Sequence, residues 1–191
     1  MICRRFILLL TLLPACGYNL RGNTRPFFSE HQIHTLFVQP VKNNSYKAGV
    51  EVTLFNALRK RIAEGGYVRI VDKADQADAV MKASVEDASY SPGAPTTADQ
   101  IAPLLAGKKE VQVAKTYNVN LRVSFSFVQV HPDKLLWGDQ LSRTKSFEAS
   151  TYIGARGSTS ALINESEFER TLADLSVSIV TDAEESINSI F

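Results

Sequence analysis

Few side chains in this 191-residue chain have the types and spacing that catalysis or metal binding requires. His31 and His34 are three residues apart, but in an extended segment this spacing does not bring two imidazoles together, and no third ligand is evident. Asp72, Asp75 and Asp78 lack the spacing of a calcium-binding loop. No nucleophile elbow, phosphate-binding loop, dinucleotide fingerprint or zinc-protease motif occurs. The sequence therefore predicts no catalytic residue, no metal site and no cofactor, and it indicates that the protein is not an enzyme.

One thiol, that of Cys16, stands in a context that predicts a specific modification. Arg4 and Arg5 precede an eight-residue run over residues 6–13 that is apolar except for one threonine, and the tetrapeptide LPAC ends at Cys16. A membrane-spanning helix needs about 20 apolar residues, whereas a positive start, a short apolar run and small residues before a cleavage site are typical of a secretory signal. LPAC resembles the lipobox of bacterial lipoproteins, in which the thiol receives diacylglycerol and becomes the new N-terminus. We therefore predict a signal peptide over residues 1–15 and a lipid on Cys16 that attaches the chain to a membrane.

The composition of the remaining chain limits its class and its partners. Removal of residues 1–15 takes Arg4 and Arg5 away, which leaves 19 basic residues against 20 acidic ones in a chain long enough for one domain. A nearly neutral chain without a basic tail argues against a nucleic-acid partner. With Cys3 removed and Cys16 acylated, no disulfide is available, so the fold must depend on its hydrophobic core. We predict a tether over residues 16–32 and a single domain over residues 33–191.

Hydrophobic periodicity predicts a strand, a helix, four strands and a final helix. The predicted strands cover residues 33–41, 67–71, 79–90, 117–127 and 135–150, and the helices cover 47–64 and the chain from 164 onward. The first crossover should be a right-handed parallel unit and the later strands a meander. The predicted fold class is α+β, a two-layer α/β sandwich in which one mixed sheet of four to five strands carries two helices on one face. The other face should be polar, with Asn118, Asn120, Arg122, Ser124 and Ser126 on it.

Basic residues fall at the ends of several predicted elements. Residues 59–61 end the first helix, Lys108 and Lys109 lie in a loop over residues 91–109, and Arg156 lies in a second loop over residues 154–160. Counting strand reversals places all of them at one edge of the sheet, together with the tether from Cys16. A cationic edge beside a lipid anchor is suited to anionic head groups, and the alternative is a merely solvated surface.

The first residues after the predicted cleavage resemble a known family. Residues 16–22, CGYNLRG, look like the start of the LptE family of lipopolysaccharide-assembly lipoproteins, and the rest of the chain is similar to that family in outline. Members of the family sit inside the β-barrel of the outer-membrane lipopolysaccharide translocon, help that barrel to assemble, and contact lipopolysaccharide. The resemblance implies a non-catalytic plug subunit, lipid-anchored on the periplasmic side of the outer membrane. Gly17 after the acylated cysteine is similar to lipoproteins that are sent on to that membrane.

The resemblance makes lipopolysaccharide phosphates the expected ligand of the cationic edge. The candidate residues are Lys108, Lys109 and Arg156, with Arg122 on the sheet face as a further candidate. Two other classes remain open at this stage. One is a different envelope-assembly cofactor, such as an activator of cell-wall synthesis or a secretion-pore component, and the other is a periplasmic enzyme.

Overall fold

The computed structural model describes residues 27–97, 112–153, 159–162 and 164–189. Its helices and long strands follow the predicted order, and short strands occur beside them. In chain order the elements are α1 (Phe27–Glu30), β1 (Thr35–Val38), β2 (Lys42–Asn43), α2 (Val50–Gly65), β3 (Arg69–Val71), a 3₁₀ turn (Ala74–Gln76), β4 (Ala79–Pro92), β5 (Pro95–Thr97), β6 (Gln112–Ala114), β7 (Thr116–Gln129), β8 (Lys134–Glu148), β9 (Ser150–Ile153), β10 (Thr159–Leu162) and α3 (Glu165–Ser189).

The long strands form one mixed sheet in the spatial order β3-β1-β4-β7-β8, and the two-residue strand β2 pairs with β4 as a sixth. β1 is parallel to both β3 and β4, while β4, β7 and β8 form an antiparallel meander. α2 and α3 pack on one face of this sheet and against each other. The predicted fold class is therefore confirmed. Two further ladders, β5–β6 and β9–β10, occur in or beside the segments that the sequence analysis predicted as loops.

β7 lies in the centre of the sheet and explains why the sheet has two unlike faces. Its apolar side chains are buried beneath the helices, and its polar side chains point to the opposite side, which we call the outer face. The buried set is Val119, Leu121, Val123, Phe125 and Phe127, and the outer set is Asn118, Asn120, Arg122, Ser124 and Ser126. The predicted assignment of faces is confirmed.

The two long helices begin and end where the local sequence allows it. α2 starts at Val50, three residues later than predicted, because Gly49 adopts the left-handed φ of 91° that precedes it, and it ends where Gly66 adopts a φ of 65°. α3 begins as predicted, since the side-chain oxygen of Asn164 accepts a hydrogen bond from the backbone N–H of Glu167 at 3.3 Å. Every third or fourth residue of α3 from Phe168 onward is buried against the sheet or α2.

The folded domain starts earlier in the chain than the predicted boundary at residue 33. The ring of Phe27 is 1% exposed and meets the ring of Phe127 edge-on, with 5.2 Å between their centroids. Phe28 stacks on Tyr67, and Ile33 is fully buried. Phe27 and Phe28, which the sequence analysis assigned to the tether, therefore pack on the core, and the polar residues that follow them are exposed or partly exposed. Residues 1–26, including the predicted signal peptide, lie outside the described residues.

A single carboxylate joins the beginnings of β1 and β4. The side-chain oxygen Oδ2 of Asp78 accepts hydrogen bonds from the backbone N–H groups of His34 at 2.9 Å and Thr35 at 2.8 Å. In return the backbone N–H of Asp78 donates to Oγ1 of Thr35 at 2.9 Å. The bond from the backbone of His34 is the main reason that the pKa of Asp78 lies below its usual value, and the bonds from Thr35 act in the same direction. Asp78 thus fixes the parallel pairing of these two strands.

Replacement of Leu121 by alanine tests the assignment of faces on β7. Leu121 is fully buried, so Leu121→Ala should lower the free energy of unfolding by about 2–5 kcal/mol through the lost contacts and the cavity left behind. Ser124 follows on the outer face of the same strand, and Ser124→Ala is the matched control, for which little change is expected. Urea unfolding followed by circular dichroism measures both variants. Equal losses of stability would contradict the assignment of faces.

Replacement of Asp78 by alanine tests the junction of β1 and β4. Asp78→Ala leaves two backbone N–H groups without their charged acceptor, which should cost about 1–3 kcal/mol in the free energy of unfolding at neutral pH. Because the pKa of Asp78 is lower in the folded chain than in the unfolded one, this contribution is present above about pH 4 and is lost as the pH falls through the folded pKa. The difference between wild type and variant should therefore shrink in acid. Asp75→Ala, an exposed carboxylate three residues earlier, is the control, and an equal effect there would refute the specific role of Asp78.

Candidate functional site

Most of the predicted site residues lie outside the part of the chain that the structure describes. These are Cys16, Lys108, Lys109 and Arg156. Arg122 is described, and its side chain is exposed in the middle of the outer face. Its strand neighbour across the β4–β7 ladder is Asp87, and its positive charge also contributes to a lowered pKa of Glu86.

The strand directions separate two groups of basic residues that the sequence analysis had placed together. β1, β3 and β4 all begin at one edge of the sheet, near Phe27, and we call this the tether edge. β4 and β8 both end at the opposite edge, the far edge, where Pro92 pairs with Tyr117 and Thr116 pairs with Glu148. The segments that contain Lys108, Lys109 and Arg156 follow these two strands, so they leave the sheet from the far edge.

The count of strand reversals behind the predicted shared edge is therefore wrong, whereas Lys108, Lys109 and Arg156 themselves lie outside the described residues. The reason is that a parallel crossover does not reverse the direction of the chain, so β4, which corresponds to the third predicted strand, runs the same way as β1. Of the basic residues that the prediction grouped together, residues 59–61 at the end of α2 are described, and they lie toward the tether edge. There each of these cations is near a carboxylate: Arg61 pairs with Glu184, Lys60 lies 3.9 Å from Glu64, and Arg59 lies 3.9 Å from Asp72.

The outer face is the side of the sheet that α2 and α3 leave uncovered. Many of its side chains are short and polar, and these bond to one another across β4, β7 and β8. Oδ1 of Asn120 accepts bonds from the hydroxyl groups of Ser142 at 3.1 Å and Thr144 at 3.3 Å, and Ser146 donates to Asn118 at 2.7 Å. We call this set of bonded side chains the polar ladder. Because its members hold each other in place, a partner that binds here orders few additional side chains.

A bulge in β4 adds two acidic side chains to the outer face. The register of β4 shifts between Val85 and Asp87, so that Glu86 and Asp87 both stay outside the core. Asp87 accepts a hydrogen bond from Asn120 at 2.7 Å, which links it to the polar ladder. A hydrogen bond from Asn44 at 3.1 Å is the main cause of the lowered pKa of Glu86, so this carboxyl is ionised at neutral pH.

The opposite face of β8 carries charges that the sequence analysis did not interpret. Arg143 donates two hydrogen bonds of 2.6 Å each to the carboxylate of Asp182 on α3, and Lys145 donates one of 2.6 Å to Asp174. These bonds are the main reason that the pKa values of Asp182 and Asp174 are lowered. The pairs attach α3 to the edge strand β8. The sequence of β8 is thus polar for two reasons. On the outer face its side chains belong to the polar ladder, and on the helix side they form ion pairs with α3.

The described fold and surface define a class of protein: a helix-backed mixed sheet that presents a preformed polar face. Within the described residues, no helix is both long and apolar enough to cross a membrane. The family model for LptE, lipopolysaccharide-assembly, matches residues 33–185, which is most of the chain. The chain therefore belongs to the LptE family, a family of non-enzymatic lipoproteins that act in lipopolysaccharide assembly.

The chain is also similar to several solved structures, among them two named as lipoproteins. A variant of the PelC dodecamer from Paraburkholderia phytofirmans is 12% identical over 81% of this chain and 87% of that one, with a TM-score of 0.48. Rare lipoprotein B from Shewanella oneidensis is 16% identical over 78% of this chain and 94% of that one, with a TM-score of 0.44. A minor lipoprotein from Acinetobacter baumannii is 11% identical over 81% and 92%, with a TM-score of 0.43. No curated protein sequence matches the chain significantly.

Proposed function

We propose that this chain is an outer-membrane lipoprotein, acylated at Cys16 after cleavage of a signal peptide, that plugs the lipopolysaccharide translocon barrel and helps it to assemble. In this proposal the domain faces the periplasm, contacts lipopolysaccharide during export, and catalyses no reaction. Membership of the LptE family supports the general role in lipopolysaccharide assembly. The more specific role as a plug depends on the outer face of the sheet.

The observation that carries the proposal is the uncovered polar ladder. The lumen of an outer-membrane barrel is polar, so a plug must present polar groups that can exchange hydrogen bonds with the barrel wall. The ladder supplies such groups on three adjacent long strands, with Asn118, Asn120, Ser142, Thr144 and Ser146 at its centre. Their side chains are short and mutually bonded, which lowers the entropy lost when the surface is ordered against a partner.

The dimensions of the domain agree with a plug that is anchored at one end. β4 and β7 each contain 14 residues, which at about 3.3 Å per residue makes the sheet about 45 Å long. Cys16 precedes Phe27 by 11 residues, which span at most about 40 Å. A lipid on Cys16 would therefore keep the tether edge beside the membrane, while the far edge extends away from the anchor.

The contacts with lipopolysaccharide belong, in this proposal, at the far edge. Lys108, Lys109 and Arg156 are in segments that follow strands ending there, and β6 and β10, which close those segments, lie beside each other. Cations in neighbouring segments at one edge are suited to phosphates, which are strong multivalent acceptors. Arg122 lies on the outer face and provides a fourth cation along the length of the sheet.

Labelling with a palmitate analogue tests lipid attachment. The wild-type precursor should be labelled and cleaved, whereas Cys16→Ala should take up no label and remain uncleaved by the lipoprotein signal peptidase, because the thiol is the acceptor of the lipid. Cys3→Ala is the control, since Cys3 would leave with the signal peptide and its loss should change nothing. Normal labelling of Cys16→Ala would refute acylation at this residue.

Capture from detergent-solubilised outer membranes tests the barrel partner. The wild-type chain should recover a large β-barrel protein in a one-to-one complex. Ser142→Arg places a second long cationic side chain directly opposite Arg122 and removes a bond to Asn120, so it should reduce the recovered barrel at least several-fold by local charge repulsion and by preventing close approach of the barrel wall. Ser178→Arg is the matched control, since Ser178 is an exposed serine on α3, remote from the outer face.

The outcome that would contradict the barrel partner is equally specific. Recovery of cell-wall synthases alone, or equal recovery of the barrel by the Ser142 and Ser178 variants, would remove the outer face from the interface.

A further inference from the structure

The outer face changes in character toward the tether edge. Beyond the polar ladder, the last row of side chains across β4, β7 and β8 is apolar. Val80 pairs with Val128 across one ladder, and Val128 pairs with Leu135 across the next. Leu135 remains 60% exposed, and the two valines are only partly covered. We call these three residues the apolar row.

Two lysines lie directly behind the apolar row. Lys82 follows Val80 by two residues on the same side of β4, a step of about 7 Å, and Lys42 on β2 pairs with Ser84, the next outer residue of β4. Both side chains line a shallow depression whose floor contains the hydroxyl groups of Ser84, Ser124 and Ser126. Its lining contains no carboxylate. Among the described residues neither lysine forms an ion pair, in contrast to the paired cations at the end of α2.

The surroundings of the depression leave its charge positive. Glu86 lies next to the depression on the side of the far edge, where its carboxylate accepts hydrogen bonds from Asn44, Ser84 and Ser124. The carboxylate of Asp78 is occupied by two backbone N–H groups at the sheet edge. Asp133 lies in the turn that precedes β8 and does not line the depression. Two lysines against the single adjacent carboxylate of Glu86 therefore leave a net positive charge for an anion at the depression.

We propose that this corner of the domain docks on the phospholipid surface of the membrane. The apolar row enters the boundary between head groups and acyl chains, and Lys42 and Lys82 bind anionic head-group phosphates in the depression behind it. From the edge inward the surface is first apolar and then cationic, with serines beside the lysines, which complements a bilayer interface that runs from acyl chains to anionic phosphates to water. The apolar row lies at the tether edge, near Phe27, where the described chain begins. The proposed lipid anchor would hold this edge beside the membrane, so the phospholipid surface is the partner that we propose for it.

This docking deepens the proposed function, because it determines the orientation of the anchored domain on the membrane. It rests on the proposed function only for the lipid anchor, which brings this corner to the membrane. It does not require a barrel. A measurement with pure lipids can therefore fail while the barrel complex still forms, or succeed when no barrel is recovered.

Co-sedimentation with vesicles tests the docking. The chain from residue 16 onward, carrying Cys16→Ser so that no lipid is attached, should sediment with vesicles of phosphatidylethanolamine and phosphatidylglycerol, and less with phosphatidylcholine alone. Each basic residue near an anionic surface contributes about 1 kcal/mol, so Lys82→Ala should lower the partition coefficient about fivefold and the double variant with Lys42→Ala about thirtyfold. Added salt should weaken the binding of wild type more than that of the double variant.

Matched variants separate docking from general changes in charge or hydrophobicity. Leu135→Ser should weaken sedimentation, whereas Val177→Ser should not, since Val177 is 59% exposed on α3, away from the outer face. Lys115→Ala, an exposed lysine toward the far edge, is the control for charge. Unchanged circular dichroism and thermal unfolding establish that the variants fold.

Three results would overturn the proposal. One is equal sedimentation of wild type and the double lysine variant, and another is equal loss for Leu135→Ser and Val177→Ser. The third is complete competition by inorganic phosphate at matched ionic strength, which would make the depression a site for free phosphate and not for a membrane surface.

Discussion

The pairing of β1 with β4 through Asp78 determines the direction of the whole sheet. One carboxylate oxygen accepts two backbone N–H groups at the beginning of β1, and the same residue leads directly into β4. Both strands must then start at the same edge. Because β7 and β8 follow as a meander, their ends are fixed too. The position of every connecting segment relative to the N-terminal tether depends on this one junction.

The sheet satisfies two different environments with one alternating pattern. Along β7 each residue of the apolar set contributes to the core, and each neighbour of the polar set reaches the outer face. A shift of one residue would exchange the two sets, so burial of the apolar set fixes the register of the polar ladder as well. A surface suited to a polar partner is in this way stabilised by the core, although none of its own hydrogen bonds contributes much to folding.

The features that the sequence predicts correctly are those that a local period encodes. The alternation over residues 117–127 and the stripe of α3 each extend over several repeats, so they identify both the element and its buried face. β5 and β9 contain three and four residues, too few for a period to be recognised. The packing of Phe27 on Phe127 joins residues 100 positions apart, and the placement of Lys42 beside Ser84 depends on a two-residue strand. Such contacts are determined by tertiary structure, which explains why the tether boundary and the lysine depression were not predicted.

The ion pairs between β8 and α3 have a further consequence for the exposed side of the sheet. In the described sheet β8 is a long edge strand, and edge strands invite the addition of strands from other molecules. Arg143 and Lys145 of β8 point toward the helix layer, where they pair with Asp182 and Asp174 of α3. A strand added beside β8 would therefore bring its own side chains against charged groups. Inward-pointing charges of this kind are a recognised protection against aggregation. The same contacts that hold α3 in place therefore also protect the edge strand β8 against the addition of a further strand.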